Sequence, residues 1–256
     1  MPHPRHISGG CWPTAAQLLL LQAAILDAPQ ATTRLEQWLA LHDLNQLDES
    51  SLRMLPAVDF NLQSSGLPAH LGRVIAGLRR HALCRTHWGL RTCAEVVGSL
   101  QARGIPCLLL KGAALSRLYA PSPSVRPMND VDLLVPRQRA LEAMEQLGAS
   151  GFHAHARNPA DLVQVRHSSP FSRGSIEIDL HWDVLPESVT LDDAWAFDDA
   201  RALDLGDVTT RALSATAQLF HTIAHGIRYS DTPAAWWPLD AVFVLRGPAK
   251  VDFERL

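Results

Sequence analysis

The chain has 256 residues, 47% of them apolar and 19% charged, with a formal net charge of −3. That is enough apolar material for one good core, or a core with a helical appendage. The mildly acidic balance excludes a nucleic-acid partner held by a global excess of positive charge.

In chain order, Met1 to Gly10 is expected to be loose. Pro13 to Leu18 starts a helical pattern that ends near Asp27-Ala28-Pro29, where proline stops it. A second helix fits Thr33 to His42, with Leu35, Trp38, Leu39 and His42 along one side. Leu44 to Ser51 reads as a turn into a short helix over Leu52 to Asp59. Pro68 to about Arg103 is a long helical stretch with a break near Gly89, and Leu71, Val74, Ile75, Leu78 and Leu83 recur at helical spacing. Gly104 ends it, and Ile105-Pro106 turns the chain into its first strand. Between Phe60 and Ala94 there is no acidic residue, whereas Arg73, Arg79, Arg80, Arg85 and Arg91 fall there. A solvated face accounts for that run; the sharper alternative is a basic helix turned toward a triphosphate or an acidic acceptor.

The middle of the chain alternates. Strand Cys107–Leu110 precedes a helix over Ala113–Tyr119, then a strand over Val131–Val135. Pro136 opens a helix through Leu147 with Ala140, Leu141, Met144 and Leu147 as its buried stripe, closed by Gly148 and Gly151. Phe152 to His155 is extended again. Leu162–His167 and Ser175–Asp183 read as two strands joined by a hairpin-like connection over Ser168–Gly174. From Glu187 to Asp207 the acids Asp192, Asp193, Asp198, Asp199 and Asp204 face Arg201 alone, and Leu203–Val208 is irregular or extended. Helices are expected over Ala212–Ile227 and Trp236–Leu245. The order implies an α+β chain in three segments: a helical region over 1–103, a small mixed sheet with helices on one face over 104–185, and a mainly helical region over 186–256.

Cys11, Cys84, Cys93 and Cys107 show no C-x-x-C spacing, which favours reduced thiols and a cytoplasmic protein. No signal-peptide pattern opens the chain, and the Leu18–Leu21 run is too short to span a bilayer.

The chemistry concentrates around Asp130-Val131-Asp132. Alternation along a strand points both carboxylates the same way, roughly 6–7 Å apart. Two such groups at a strand end repel unless a cation lies between them, which is what a two-metal phosphoryl or nucleotidyl transfer site needs. A strand-edge pair capping the turn after Pro127 is the plainer alternative. Lys111-Gly112 follows the first strand; glycine lets the backbone approach a phosphate closely, and the next helix N-terminus favours anions.

Leu110-Lys111-Gly112-Ala113-Ala114, then Arg126-Pro127-Met128-Asn129-Asp130-Val131-Asp132-Leu133-Leu134-Val135, then Ile176-Glu177-Ile178-Asp179-Leu180-His181-Trp182 form an ordered set. In that order they resemble the uncharacterised nucleotidyltransferase family of the DNA polymerase β-like superfamily, over nearly the whole chain. The resemblance implies a polymerase β-like core and transfer of an NMP group from an NTP, with pyrophosphate release. It makes Asp130, Asp132 and Asp179 the catalytic carboxylates and the ligands of two Mg²⁺ ions, for which Mn²⁺ is a substitute. Asp179 would complete the ion that activates the acceptor oxygen and take its proton. Lys111 and Gly112 would hold the triphosphate, and Arg126 would contact phosphate or pair with Asp130. Glu177 shares the carboxylate face without being a first choice as ligand. Family members usually continue into a further helical segment, so the chain is expected to be a short or trimmed member.

The acceptor is expected to be a small molecule, peptide or protein; nucleic acid is disfavoured, and no membrane is involved. Other readings are a metal-dependent phosphoesterase or other nucleotide-donor transferase, and a non-catalytic nucleotide-binding or partner module. His221 and His225 have zinc-ligand spacing on a helix but no H-E-x-x-H glutamate, so packing or hydrogen bonding is expected, with base or acceptor binding as the alternative. His181 is expected to tether the sheet, with the site edge as its alternative, and Trp236-Trp237 to be core rather than a stacking platform.

Overall fold

A computed structural model describes residues 10–43, 46–63, 66–155, 158–186, 194–228 and 236–256. The expected loose N-terminus up to residue 9, Leu44-Asn45, and Asp192 and Asp193 of the acidic stretch lie outside the described residues. Two compact units divide the chain: residues 1–80 with 222–243, and residues 81–221 with 244–256. They cut across the three consecutive segments of secondary structure.

The first unit is helical among its described residues. Helix α1 (Ala15–Ile25) starts with a capping box in which Thr14 and Gln17 satisfy each other's backbone N–H groups. Helix α2 (Ala28–Leu39) begins five residues earlier than its apolar stripe suggests, with Pro29 in its first turn. The proline expected to stop one helix therefore opens the next, where its missing N–H costs nothing. Helix α3 (Glu49–Leu62) is capped by Asp48, whose carboxylate accepts from Ser51 N at 2.9 Å, and it runs through Pro56. Asn61 on α3 donates to Ala23 O at 2.9 Å and Leu26 O at 2.7 Å, using up free carbonyls at the end of α1.

Helix α4 (Ala69–Gln101) is continuous, and the boundary between the units falls within it. The expected break at Gly89 is absent: a Cβ there would sit 2.8 Å from Met128 Cε and 3.4 Å from Val131 Cγ2, so the glycine serves close packing. Of the stripe read from sequence, Leu71 and Ile75 are buried, whereas Val74 and Leu83 are exposed. The basic run is partly spent internally, with Arg79 paired to Asp59 at 2.5 Å and Arg85 Nη2 donating to Asn129 O at 2.8 Å.

Helix α8 (Ala215–Gly226) ends in the first unit, and α9 (Trp236–Arg246) starts there. Trp236 is buried in the core, whereas Trp237 is half-buried, packs on the exposed Trp12 and donates to Cys11 O at 2.7 Å. A Cβ on Gly226 would lie 2.1 Å from Trp237 Cγ. Gly226→Ala is therefore expected to cost about 1–3 kcal/mol or more through overpacking, read as a lower urea midpoint; an unchanged midpoint would contradict that contact.

The second unit holds a mixed sheet, among the described residues seven strands in the order β3-β4-β5-β2-β1-β7-β6. They are β1 (Leu108–Leu109), β2 (Asp130–Leu134), β3 (His153–Ala154), β4 (Ser168–Arg173), β5 (Ile176–His181), β6 (Arg201–Asp204) and β7 (Thr209–Ala212). Leu90, Cys93, Val96, Val97 and Leu100 of α4 join Ala140, Ala143, Met144 and Leu147 of α6 (Ala140–Ala149) in one core with Val131, Leu133, Ile178 and Leu180 from the sheet. All four cysteines are free. Burial pushes the Cys107 thiol up to about 11, against a weaker opposing hydrogen bond from Thr210.

Three expectations are corrected here. Leu162–His167 is not a strand: helix α7 (Pro159–Val165) covers most of it, opened by Pro159 in its first turn. The supposed connection Ser168–Gly174 is instead strand β4, paired antiparallel to β5 through a two-residue turn in which Gly174 takes φ +61°. The stretch over Leu203–Val208, expected to be irregular or extended, belongs to the β6–β7 hairpin, and the helix expected from Ala212 starts at Ala215, Ala212 being the last residue of β7.

Candidate active site

Strands β2 and β5 run parallel in a register that sets Asp130 beside Glu177, Asp132 beside Asp179, and Leu134 beside His181. Paired residues share a face of the sheet. Val131, Leu133, Ile178 and Leu180 are buried in the core on one side, so the acidic set and His181 gather on the other.

The tightest contacts are around Asp132. Its Oδ1 accepts from Lys111 Nζ at 2.6 Å and lies 3.0 Å from His181 Nε2. His181 Nε2 is also 3.0 Å from Asp179 Oδ2, which in turn accepts from Ser168 Oγ at 3.2 Å. A nitrogen facing two carboxylate oxygens carries the proton, because its lone pair would be repelled there. The 3.3 Å between Lys111 Nζ and His181 Nε2 is thus an approach of two donors to one acceptor. Asp179 Oδ1 is buried with no hydrogen-bond partner.

Burial and these neighbours shift Lys111, Asp130, Asp132, Asp179 and His181. Burial pushes Asp132 up, but Lys111 and His181 outweigh it and hold the carboxyl well below the usual range. Asp179 behaves alike, burial opposed chiefly by its hydrogen bond to His181 and ending below its ordinary value. Burial lowers His181, and its bonds to Asp132 and Asp179 raise it beyond its ordinary value. Lys111 is lowered by burial and restored above normal by Asp132. Asp130 goes the other way: burial and the neighbouring Asp132 charge raise it.

Lys111, Asp132 and Asp179 therefore come together, with donor atoms of Asp132, Asp179 and His181 all within 4.8 Å of one another. Asp130 lies on the same face at the start of β2, outside that group of three. Helix α5 (Lys111–Leu118) begins at the end of β1, and no side chain caps its N-terminus. Lys111 itself holds φ +42°, a left-handed conformation that costs a non-glycine residue of order 1 kcal/mol or more. A Cβ on Gly112 would meet Arg126 Nη1 at 3.4 Å and Met128 Cβ at 3.3 Å, so Arg126 lies against the start of the helix. Its Nη1 donates to Pro127 O at 2.7 Å.

His181 and Ser168 are the residues that sequence reasoning undervalued or missed. His181 does tether the sheet, but by way of the carboxylates, and its parity with Asp179 was the available signal. Ser168 had none, because its strand was not recognised. His221 is buried and His225 exposed; among the described residues neither joins a cluster of metal-ligand donors. Among the described residues no helix is long and apolar enough to cross a membrane.

Comparison with solved structures finds loose likenesses of chain path. A crystal structure of ANT(2'')-Ia in complex with adenylyl-2''-tobramycin is 17% identical, with 61% of this chain and 85% of that one covered at a TM-score of 0.43. A nucleotidyltransferase-like protein from Paracoccidioides brasiliensis is 15% identical, with 61% and 75% covered at 0.44. No curated protein matches the sequence. The model of the uncharacterised nucleotidyltransferase family matches residues 51–256, four-fifths of the length and every residue of the site, and the chain belongs to that family.

Proposed function

We propose that the chain transfers an NMP group from a nucleoside triphosphate to a small-molecule, peptide or protein acceptor, releasing pyrophosphate, with Mg²⁺ held by Asp130, Asp132 and Asp179. The observation that carries this reading is the pair Asp132 and Asp179, side by side on parallel strands, with Asp179 Oδ1 buried and unpartnered. A buried carboxylate oxygen without a donor is costly, and a hard divalent cation is the partner it suits. The raised Asp130 fits too, since its repulsion by Asp132 is relieved by a cation between them.

Bound Mg²⁺ would supply charge neutralisation for the phosphates and polarise the attacking oxygen. The protein's own groups do the rest. Lys111, the open N-terminus of α5 with Gly112, and Arg126 bind and orient the β- and γ-phosphates. The acceptor oxygen attacks the α-phosphorus, the bond to the bridging oxygen breaks, and pyrophosphate leaves with the electron pair. Asp179, ionised at neutral pH, accepts the acceptor's proton. Beside Asp130 a cleft of about 250 Å³, bounded by Arg85, Trp88, Met128 and Glu177, offers room for a substrate group.

Incubation with α-³²P-labelled NTPs, Mg²⁺ and fractionated cell extract tests the reading. Label is expected in one acceptor fraction with stoichiometric pyrophosphate. Release of orthophosphate or free NMP, with no labelled acceptor, would replace transfer by hydrolysis.

A further inference from the structure

Lys111 is placed in two incompatible jobs. As a phosphate-binding residue its ammonium must reach outward to the nucleotide, yet here Nζ sits 2.6 Å from Asp132 Oδ1 and 3.3 Å from His181 Nε2. A divalent ion bound to Asp132 needs ligand oxygens at about 2.0–2.1 Å, so ion and ammonium cannot occupy that oxygen's open side together. We infer that Lys111 couples the two substrates: its ammonium is the counter-cation of Asp132 in the free protein, and the divalent ion displaces it onto the incoming phosphates. This rests on the nucleotidyl-transfer reading and adds to it a linkage between ion and nucleotide.

Three observations carry the coupling. The Asp132 side chain is only 3% exposed, so an uncompensated charge there would be costly and the protein must supply a cation when no ion is bound. Lys111 is the only non-glycine residue with positive φ among the described residues, and that backbone turn directs its side chain back onto the carboxylate face. The same residue begins α5, whose N-terminus no side chain caps and against which the Arg126 guanidinium lies, so a swing of the lysine side chain exchanges carboxylate for phosphate. Ion entry alone would evict the ammonium with nowhere charged to go. Nucleotide alone would leave Asp132 and Asp179 with His181 as their shared partner while adding negative charge beside them. Each event favours the other, and by linkage the coupling is reciprocal.

The test measures Mn²⁺ affinity by the electron paramagnetic resonance of free Mn²⁺, with and without α,β-methylene ATP, whose bridging carbon blocks transfer. In the wild-type chain the analogue is expected to tighten Mn²⁺ binding about tenfold or more. Lys111→Met, lacking the competing ammonium, is expected to bind Mn²⁺ about tenfold tighter than wild type without nucleotide, and to gain little from the analogue. Lys111→Gly suits the left-handed backbone and provides a second variant that removes the ammonium without straining the turn. Equal or weaker Mn²⁺ binding in the folded Lys111 variants, or no effect of the analogue on wild type, overturns the coupling. Asp132→Asn separates the two levels. If it binds Mn²⁺ as wild type does, the metal site itself is misassigned; if it loses binding while the Lys111 variants gain nothing, only the coupling fails.

Discussion

Asp132→Asn is expected to reduce NMP transfer by at least about 10²–10³-fold while the chain stays folded. Among the described residues Asp132 is the one carboxylate hydrogen-bonded to Lys111 and His181 together, and it is in register with Asp179. Asparagine keeps the shape and one acceptor oxygen but loses the charge that balances the ammonium and orients the imidazole. The metal-free variant should therefore also melt lower, because a buried ion pair broken on one side leaves an uncompensated charge behind. Asp130→Asn provides the contrast. Its carboxyl is raised by burial and by repulsion from Asp132, so neutralising it removes an unfavourable charge. Turnover should fall there too, but the melting temperature should hold or rise. Circular dichroism and labelled-NTP assays on both variants check the pair. Full turnover in folded Asp132→Asn would remove the site; a matching loss of stability in both variants would contradict the charge arrangement described here.

That opposition in sign was partly legible in the chain. Alternation alone puts Asp130 with Asp132 and Glu177 with Asp179 and His181, and the parallel register then brings the two sets onto one face. Alternation does not say how deep each group lies, so it treats Asp130 and Asp132 as equivalent when one is repelled and the other doubly paired. His181 was readable as a neighbour of Asp179 by the same rule; its weight depended on burial, which a lone sequence does not supply. The backbone at Lys111 had no signal at all, since a lysine at φ +42° contradicts every local preference and is imposed by tertiary contacts.

The edge of the sheet was less legible than its centre, for reasons that differ by strand. Strand β4 carries Ser168, Ser169, Pro170 and Ser172, a loop-like composition in which Phe171 is the large side chain packed into the core. Leu162-Val163-Gln164-Val165 looked like the strand instead, because branched residues favour extended chain; Pro159 at the start of the helix was the overlooked cue. In the β6–β7 hairpin, Leu203, Thr210 and Ala212 are the buried positions, an alternation too short to stand out beside the acidic residues before it. Central strands announce themselves because both faces are buried or functional. Edge strands are defined by what they pair with.

The second large effect is on stability. Trp182 is 1% exposed, packs in the sheet-and-helix core, and donates its indole N–H to Arg166 O at 2.6 Å. Its backbone N–H donates to His167 O at 2.9 Å, while the carbonyl of His181 accepts from Val135 N at 2.9 Å, so the residue fastens the end of β5 immediately after the site histidine. Trp182→Ala is expected to cost about 3–5 kcal/mol, from lost burial and the cavity left behind. Against a typical total of about 5–15 kcal/mol, that is between about a fifth of the stability and all of it. Trp182→Phe keeps most of the packed volume and loses the indole hydrogen bond, so it should cost about 1–2 kcal/mol and keep His181 between its two carboxylates. Urea unfolding of the three proteins measures the ladder, and Mn²⁺ binding by the folded Trp182→Phe chain measures whether the site survives. A Trp182→Ala chain within 1 kcal/mol of wild type would mean that the core tolerates a void under the site and that the anchoring of β5 lies elsewhere. Near-normal ion binding in Trp182→Phe, beside weakened binding in whatever Trp182→Ala remains folded, would tie the precision of the cluster to the packing beneath it.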